Sequence, residues 1–155
     1  MGGVFFPSPP EVINEMLAIA GANSTSVVYD LGSGDGSIVM AAARDYNVRK
    51  AVGIERDGRL CSIARARAAR FNNVLIINAD YDTIEISEAS IVTVYQGASE
   101  NSRLRPKFLR ELRNGSLIVS HEFGIPGWRP SQFHIMKLNG RSYRIMVYVV
   151  GSHTP

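Results

Sequence analysis

The stretch VVYDLGSGDGSIV, Val27 to Val39, decides the fold of this chain. Val27-Val28-Tyr29 is β-branched and aromatic, the composition of a buried strand. The strand breaks at Asp30-Leu31 into Gly32, Gly34 and Gly36, with Ser33 and Asp35 between them, and an alanine-rich segment follows. That order predicts a strand, a glycine turn and a helix. In open α/β sheets such a turn lets the backbone approach a ligand at the carboxyl edge of the sheet.

Outward from this stretch, strand-like and helix-like segments alternate, the pattern of an α/β domain with a mostly parallel sheet. Ser8-Pro9-Pro10-Glu11 combines an N-cap, proline in the first turn and a capping-box acid, and predicts a first helix from Pro9 to Ala20. SIVMAAARDY is the helix leaving the glycine turn, and AVGIER a second strand. The next helix is expected to bury Leu60, Ile63, Ala64, Ala68 and Phe71 on one face. NVLIIN and SIVTVY are the third and fourth strands. A helix carrying Leu104, Phe108 and Leu112 follows and is expected to stop at Asn114-Gly115. SLIVSHEF is a fifth strand, and the end of the chain reads as two strands turning at Asn139-Gly140. The count is seven strands.

Composition bounds the reading. The 155 residues, 45% of them hydrophobic, suffice for one buried core and one domain over 1–155. No apolar run approaches the roughly 20 residues that span a bilayer. MGGVFFPSPP lacks a basic leader, and Phe6 replaces the Ser or Thr of a myristoylation signal, so a cytosolic location is expected. Cys61 is the only cysteine, which excludes an internal disulfide framework and a cysteine metal cluster; it is expected in the core. A net charge of +3 is too small to identify a nucleic-acid binder.

Two cofactor classes compete for the glycine turn. A dinucleotide fingerprint reads G-x-G-x-x-G, but position 37, where its last glycine belongs, is Ser. Asp30 and Asp35 would repel a pyrophosphate and favour a ligand with positive groups. S-adenosylmethionine carries an ammonium and a sulfonium. Glu55 closes the second strand, where an acid can bind ribose hydroxyls. Asp80 after the third strand can accept from an adenine amino group, and Tyr81 offers an aromatic face. Singly, an Asp or Glu that ends a strand is usually a turn former or a solvated charge, and Asp35 and Tyr81 read equally well as structural or functional; the order, an acid after each of three successive strands, points to a cofactor site.

YDLGSGDG, VGIERD and NADYD resemble the cofactor motifs of class I S-adenosylmethionine-dependent methyltransferases. With FPSPPEVINEML, LRPKFLRELRNGSLIVSHEF and IPGW, the chain is similar over residues 5–150 to the small archaeal protein-lysine methyltransferases and their mitochondrial relatives. The resemblance implies a Rossmann-like, seven-stranded, mostly parallel sheet with helices on both faces and an antiparallel C-terminal hairpin. It implies methyl transfer to lysine amines of protein substrates. By the same resemblance Asp30, Gly32, Ser33, Gly34 and Gly36 line the methionine end, with Asp35 near its ammonium. Glu55 would hold the ribose, Asp80 and Tyr81 the adenine, and Ser8 and Pro9 would lie over the cofactor.

The segment VYQGASENSR departs from the apolar segment and following Asn-rich turn that the resemblance leads one to expect after the fourth strand, and leaves the acceptor open. Tyr95 and Gln96 are the expected lining of the acceptor channel, and Glu100, His121 and Glu122 stand nearby. His121 reads either as a base or as a strand-end histidine bonded to backbone, and Trp128 either as a channel wall or as a cap on the core. No N-P-P-[YF] signature of adenine or amide methylation occurs. Two alternatives stay open: a nucleic-acid methyltransferase with Arg103, Arg105, Arg110 and Arg113 as a phosphate track, and a cofactor-binding module without transfer.

Overall fold

The computed structural model describes residues 7–152; Phe6 and the rest of MGGVFF lie outside the described residues. Seven strands form one sheet: β1 (Val27–Leu31), β2 (Lys50–Glu55), β3 (Val74–Asn78), β4 (Ile91–Val94), β5 (Leu117–His121), β6 (Gln132–Leu138) and β7 (Arg141–Val149). Among the described residues four α-helices accompany them: α1 (Pro10–Ile19), α2 (Ser37–Tyr46), α3 (Gly58–Ala68) and α4 (Ala98–Glu111). The strand order is β3-β2-β1-β4-β5-β7-β6. The pairs from β3 to β5 are parallel, and β7 runs antiparallel to both β5 and β6.

This order opens a crevice in the sheet. The chain leaves β1 toward β2 on one side and returns through β4 on the other, which places it at the carboxyl ends of β1 and β4. All five β1 residues are buried. Successive side chains alternate between faces, so Val28 packs with Val12, Leu17, Val39 and Ala42 beneath α1 and α2. Val27, Tyr29 and Leu31 join Leu104, Phe108 and Ile118 beneath α4. Two apolar layers of this kind keep the sheet edge rigid beneath the glycine turn. Asn139 (φ 50°) and Gly140 (φ 79°) make the tight β6–β7 turn in the left-handed region that their sequence anticipates.

Three local expectations are corrected. Pro9, not Ser8, is the N-cap of α1, which has no side-chain cap; Ser8 spends its hydroxyl elsewhere. In α3 the buried face is Cys61, Ala64 and Ala68. Ile63 is 51% exposed, Leu60 lines a cleft, and Phe71 packs beyond the helix end. The small residues let α3 approach the sheet closely, and bulk is a poor guide to such a face. Finally, α4 ends at Glu111 with buried Leu112 as its C-cap, before Asn114-Gly115 is reached.

Candidate active site

Gly32, Gly34 and Gly36 have φ of 82°, 57° and 84°, a region that side chains strain to enter. Gly32 and Ser33 both donate their N–H to the Ile54 carbonyl, at 2.9 and 3.0 Å, so the turn folds down over β2. Gly53 makes that approach possible: a Cβ there would sit 2.7 Å from Ser33 Oγ. Glu55 then braces the turn from β2. Its Oε1 accepts from Gly34 N and its Oε2 from Asp57 N, each at 2.9 Å. Asp57 in turn caps α3 through Arg59 N.

The turn roofs a cleft of about 550 Å³, within the range of small-molecule sites. Carboxylates dominate its lining: Asp30, Asp35, Glu55, Asp57, Asp80, Asp82 and Glu100, against Arg56 and Arg103. Asp30 is the most deeply placed, 4% exposed, and accepts from Thr93 Oγ1 at 2.8 Å across the β1–β4 pair. Burial pushes its carboxyl up to about 7, with Glu55 and Asp35 adding repulsion and the Thr93 hydroxyl opposing. Ser33 Oγ is buried and finds no partner among the described residues. An acid-lined cleft with a waiting hydroxyl and a bare glycine turn fits an adenosine cofactor that carries positive charge at one end.

Asp35 lines the cleft, but its carboxylate is already engaged by Ser37 N and Oγ, at 3.1 and 2.7 Å, and by Arg67 at 3.2 Å. On the third-strand side, Asp80 accepts from Asp82 N and starts the short turn Tyr81–Thr83. The Tyr81 hydroxyl donates to Glu100. Arg103 reaches Glu100 at 2.6 Å and Asp82 at 2.9 Å. Its guanidinium beside Glu100 holds that carboxyl down to about 2, so Glu100 stays ionised and occupied.

The other wall is built by Tyr95 and Gln96, immediately after β4. Gln96 Nε2 lies 3.5 Å from the Leu31 carbonyl and would meet a Cβ on Gly32 at 2.7 Å. The Tyr95 ring stacks on His121 with centroids 4.1 Å apart. Asn101, fully buried, donates to the carbonyls of Gln96, Phe123 and Gly124 and so clamps the β4–α4 connection to the loop after β5. His121 does not end on backbone: its Nδ1 and Ser8 Oγ share a 2.8 Å hydrogen bond. Trp128 packs against Phe108 and Tyr148 as a cap on the core, away from the cleft.

Of the residues expected from sequence, Ser8, Asp30, Gly32, Ser33, Asp35 and Glu55 line this one cleft, as do Asp80, Tyr81, Tyr95 and Gln96. Pro9, Gly34 and Gly36 support it from behind: Pro9 starts α1, Gly34 N binds Glu55, and Gly36 starts α2. Sequence reading missed Gly53, Thr93, Asn101 and the bridging role of Arg103. Gly53 carried a signal, since glycine inside an apolar strand marks close backbone approach; the others carried none. Of the four arginines read as a track, Arg103 is neutralised at the cleft, Arg105 is bound to the carbonyls of Ser102 and Pro126, and Arg110 lies 3.6 Å from Glu111.

Residues 30–132 match the family model of the ANTKMT methyltransferase domain. The chain is 37% identical over 153 residues to a protein-lysine N-methyltransferase of Saccharolobus islandicus, covering 96% of this chain and 94% of that protein. It is 35% identical over 106 residues to the adenine nucleotide translocase lysine N-methyltransferase of Mus musculus, covering 66% of this chain and 46% of the mouse protein. Among solved structures, an RNA methyltransferase from Salinibacter ruber in complex with S-adenosyl-L-homocysteine is 36% identical. It superposes with a TM-score of 0.88 over 97% of both chains.

Proposed function

This chain belongs to the ANTKMT methyltransferase domain family, and from that premise we propose how its residues divide the work. It is an S-adenosylmethionine-dependent methyltransferase that acts on lysine amines of proteins. We assign the whole of 1–155 to one methyltransferase domain; its expected cytosolic location rests on the sequence reading. Asp30, Gly32, Ser33, Gly34, Asp35 and Gly36 form the methionine end of the cofactor site. Glu55 takes the ribose, Asp80 and Tyr81 take the adenine, and Ser8 with Pro9 lies over the bound molecule. Tyr95 and Gln96 line the lysine channel.

When bound, the cofactor supplies a methyl carbon activated by the sulfonium. The protein's share is alignment: the Gly32 turn and Gln96 touch, so the cofactor cradle and the acceptor wall are held in one register. The observation that carries the reading is the excess of carboxylates around the cleft. Such a mouth attracts an ammonium side chain and repels a phosphate backbone. Tyr95 and Gln96 offer oxygens that can accept from the incoming amine as it is dehydrated.

A second reading, RNA as acceptor, is favoured by the 36% identity to the Salinibacter ruber RNA methyltransferase. Against it, Arg103 already serves two carboxylates, and Arg105 is spent on backbone. Transfer of radiolabelled methyl to whole-cell protein, RNA and DNA, followed by residue-level mass spectrometry, decides between them. Label on lysine is expected. Label confined to nucleic acid would replace this reading with the second, and cofactor binding without transfer to any pool would reduce the chain to a binding module.

A further inference from the structure

His121 closes β5 with 1% of its surface exposed and does not line the cleft. It nevertheless touches two cleft walls that come from distant parts of the chain. On one side its Nδ1 shares the 2.8 Å hydrogen bond with Ser8 Oγ. On another its ring lies against Tyr95, 4.1 Å between centroids at 39°. Tyr143 of β7 backs the ring at 6.0 Å. Ser8 and Tyr95 both line the cleft.

The Pro7–Pro10 segment needs such an anchor. Prolines at 7, 9 and 10 remove three N–H donors, so the segment cannot join a ladder through its main chain. Pro9 is extended, at φ −58° and ψ 147°, and the helix begins only at Pro10. The Ser8 side chain supplies the cross-link instead. Its partner is suited to a fixed role: burial lowers the affinity of His121 for a proton, with Glu122 alone opposing. A desolvated, neutral imidazole holds its neighbours well and receives protons poorly.

We propose that His121 is a positioning residue that ties the Pro7–Pro10 segment to Tyr95, so that one buried ring sets both the cofactor cover and the acceptor wall. The inference rests on the methyl-transfer reading above. Freeing Ser8 should loosen the cover and weaken cofactor binding. Losing the ring should release Tyr95 and slow turnover. The two effects are separable because they use different parts of the imidazole.

Asparagine places an amide atom where Nδ1 stands, and glutamine where Nε2 stands. Both lose the ring, but only His121→Gln loses the bond to Ser8. Titration calorimetry with S-adenosylhomocysteine is the test, alongside turnover on whole-cell protein. Ser8→Ala and His121→Gln are expected to weaken binding about tenfold, and His121→Asn less than about threefold. The double variant Ser8→Ala/His121→Gln should bind no worse than His121→Gln alone. Both His121 variants should turn over more slowly than wild type at saturating cofactor. Equal affinities for the Asn and Gln variants, or additive losses in the double variant, would overturn the proposal. Ser8→Ala removes a single hydroxyl oxygen, so an unchanged affinity in it overturns the proposal even where a His121 variant does not fold. If wild type transfers no methyl while the affinity pattern holds, the function reading fails and the anchoring role stands.

Discussion

Asp30→Asn sets the demands of the site against those of the fold. Burial raises the Asp30 carboxyl from an unfolded value of 3.8 up to about 7 in the ligand-free protein. The folded value is the higher one, so between these limits the folded chain keeps a proton that the unfolded chain has released. Stability therefore falls as the pH rises through that window, the reverse of an ordinary paired carboxylate. At about 1.4 kcal/mol per pKa unit, the cost is about 2 kcal/mol near pH 5 and about 4 kcal/mol near pH 8. Asparagine keeps an oxygen for the Thr93 hydroxyl and never ionises. Any fixed packing penalty is the same at both pH values and cancels in the comparison. The variant should thus gain about 2.5 kcal/mol on wild type between pH ~5 and ~8. At roughly 2–4 °C per kcal/mol for a chain of this size, its Tm relative to wild type should rise by roughly 5–10 °C. Thermal denaturation of both ligand-free proteins at the two pH values measures this. A Tm difference that is constant or that shrinks toward pH ~8 would refute a buried, reluctantly ionised Asp30. The same variant should bind S-adenosylmethionine more weakly, because it gives up the negative charge that the fold pays to keep.

Glu55→Ala removes the brace on Gly34 N and the expected ribose acceptor, and should cost roughly 100-fold in cofactor affinity with helix content unchanged; equilibrium dialysis showing wild-type affinity would remove Glu55 from the site. Gly32→Ala forces a side chain to φ 82° and into contact with Gln96 Nε2 at 2.7 Å. A loss of about 1–3 kcal/mol and slower turnover are expected, and an unchanged Tm would show that the turn can relax. Asn101→Ala removes an amide whose two N–H protons are shared among three backbone carbonyls, which at about 1 kcal/mol per proton predicts a loss of about 2 kcal/mol in urea denaturation. A loss under about 1 kcal/mol would mean that other contacts hold the two loops together.

The fold was readable because its strands are buried on both faces. β1 and β4 present near-continuous apolar runs, and the helix after the glycine turn has the bounds that its sequence suggests. The α3 face was misread because Cys61, Ala64 and Ala68 carry little hydrophobic weight, while exposed Ile63 carries much. The acid-lined part of the cleft was readable for a similar, local reason. An acid at a strand end next to a turn is visible in a few residues, and Asp30, Glu55 and Asp80 each have that setting.

The residues that hold the cleft together obey no such grammar. Asn101 sits in a run of polar residues, Ser99 to Arg103, yet its amide is fully buried on three carbonyls. Thr93 reads as one more β-branched strand residue, and its hydroxyl is what Asp30 binds. Ser8 shows the conflict most directly. Ser-Pro-Pro-Glu satisfies every local rule for a helix cap, but a capping bond is worth about 1 kcal/mol and competes with a buried side-chain partner. His121, 113 positions away, offers that partner and takes the hydroxyl. A local motif predicts what a side chain can do; which bond it makes depends on what the topology brings beside it, and here β5 brings a histidine.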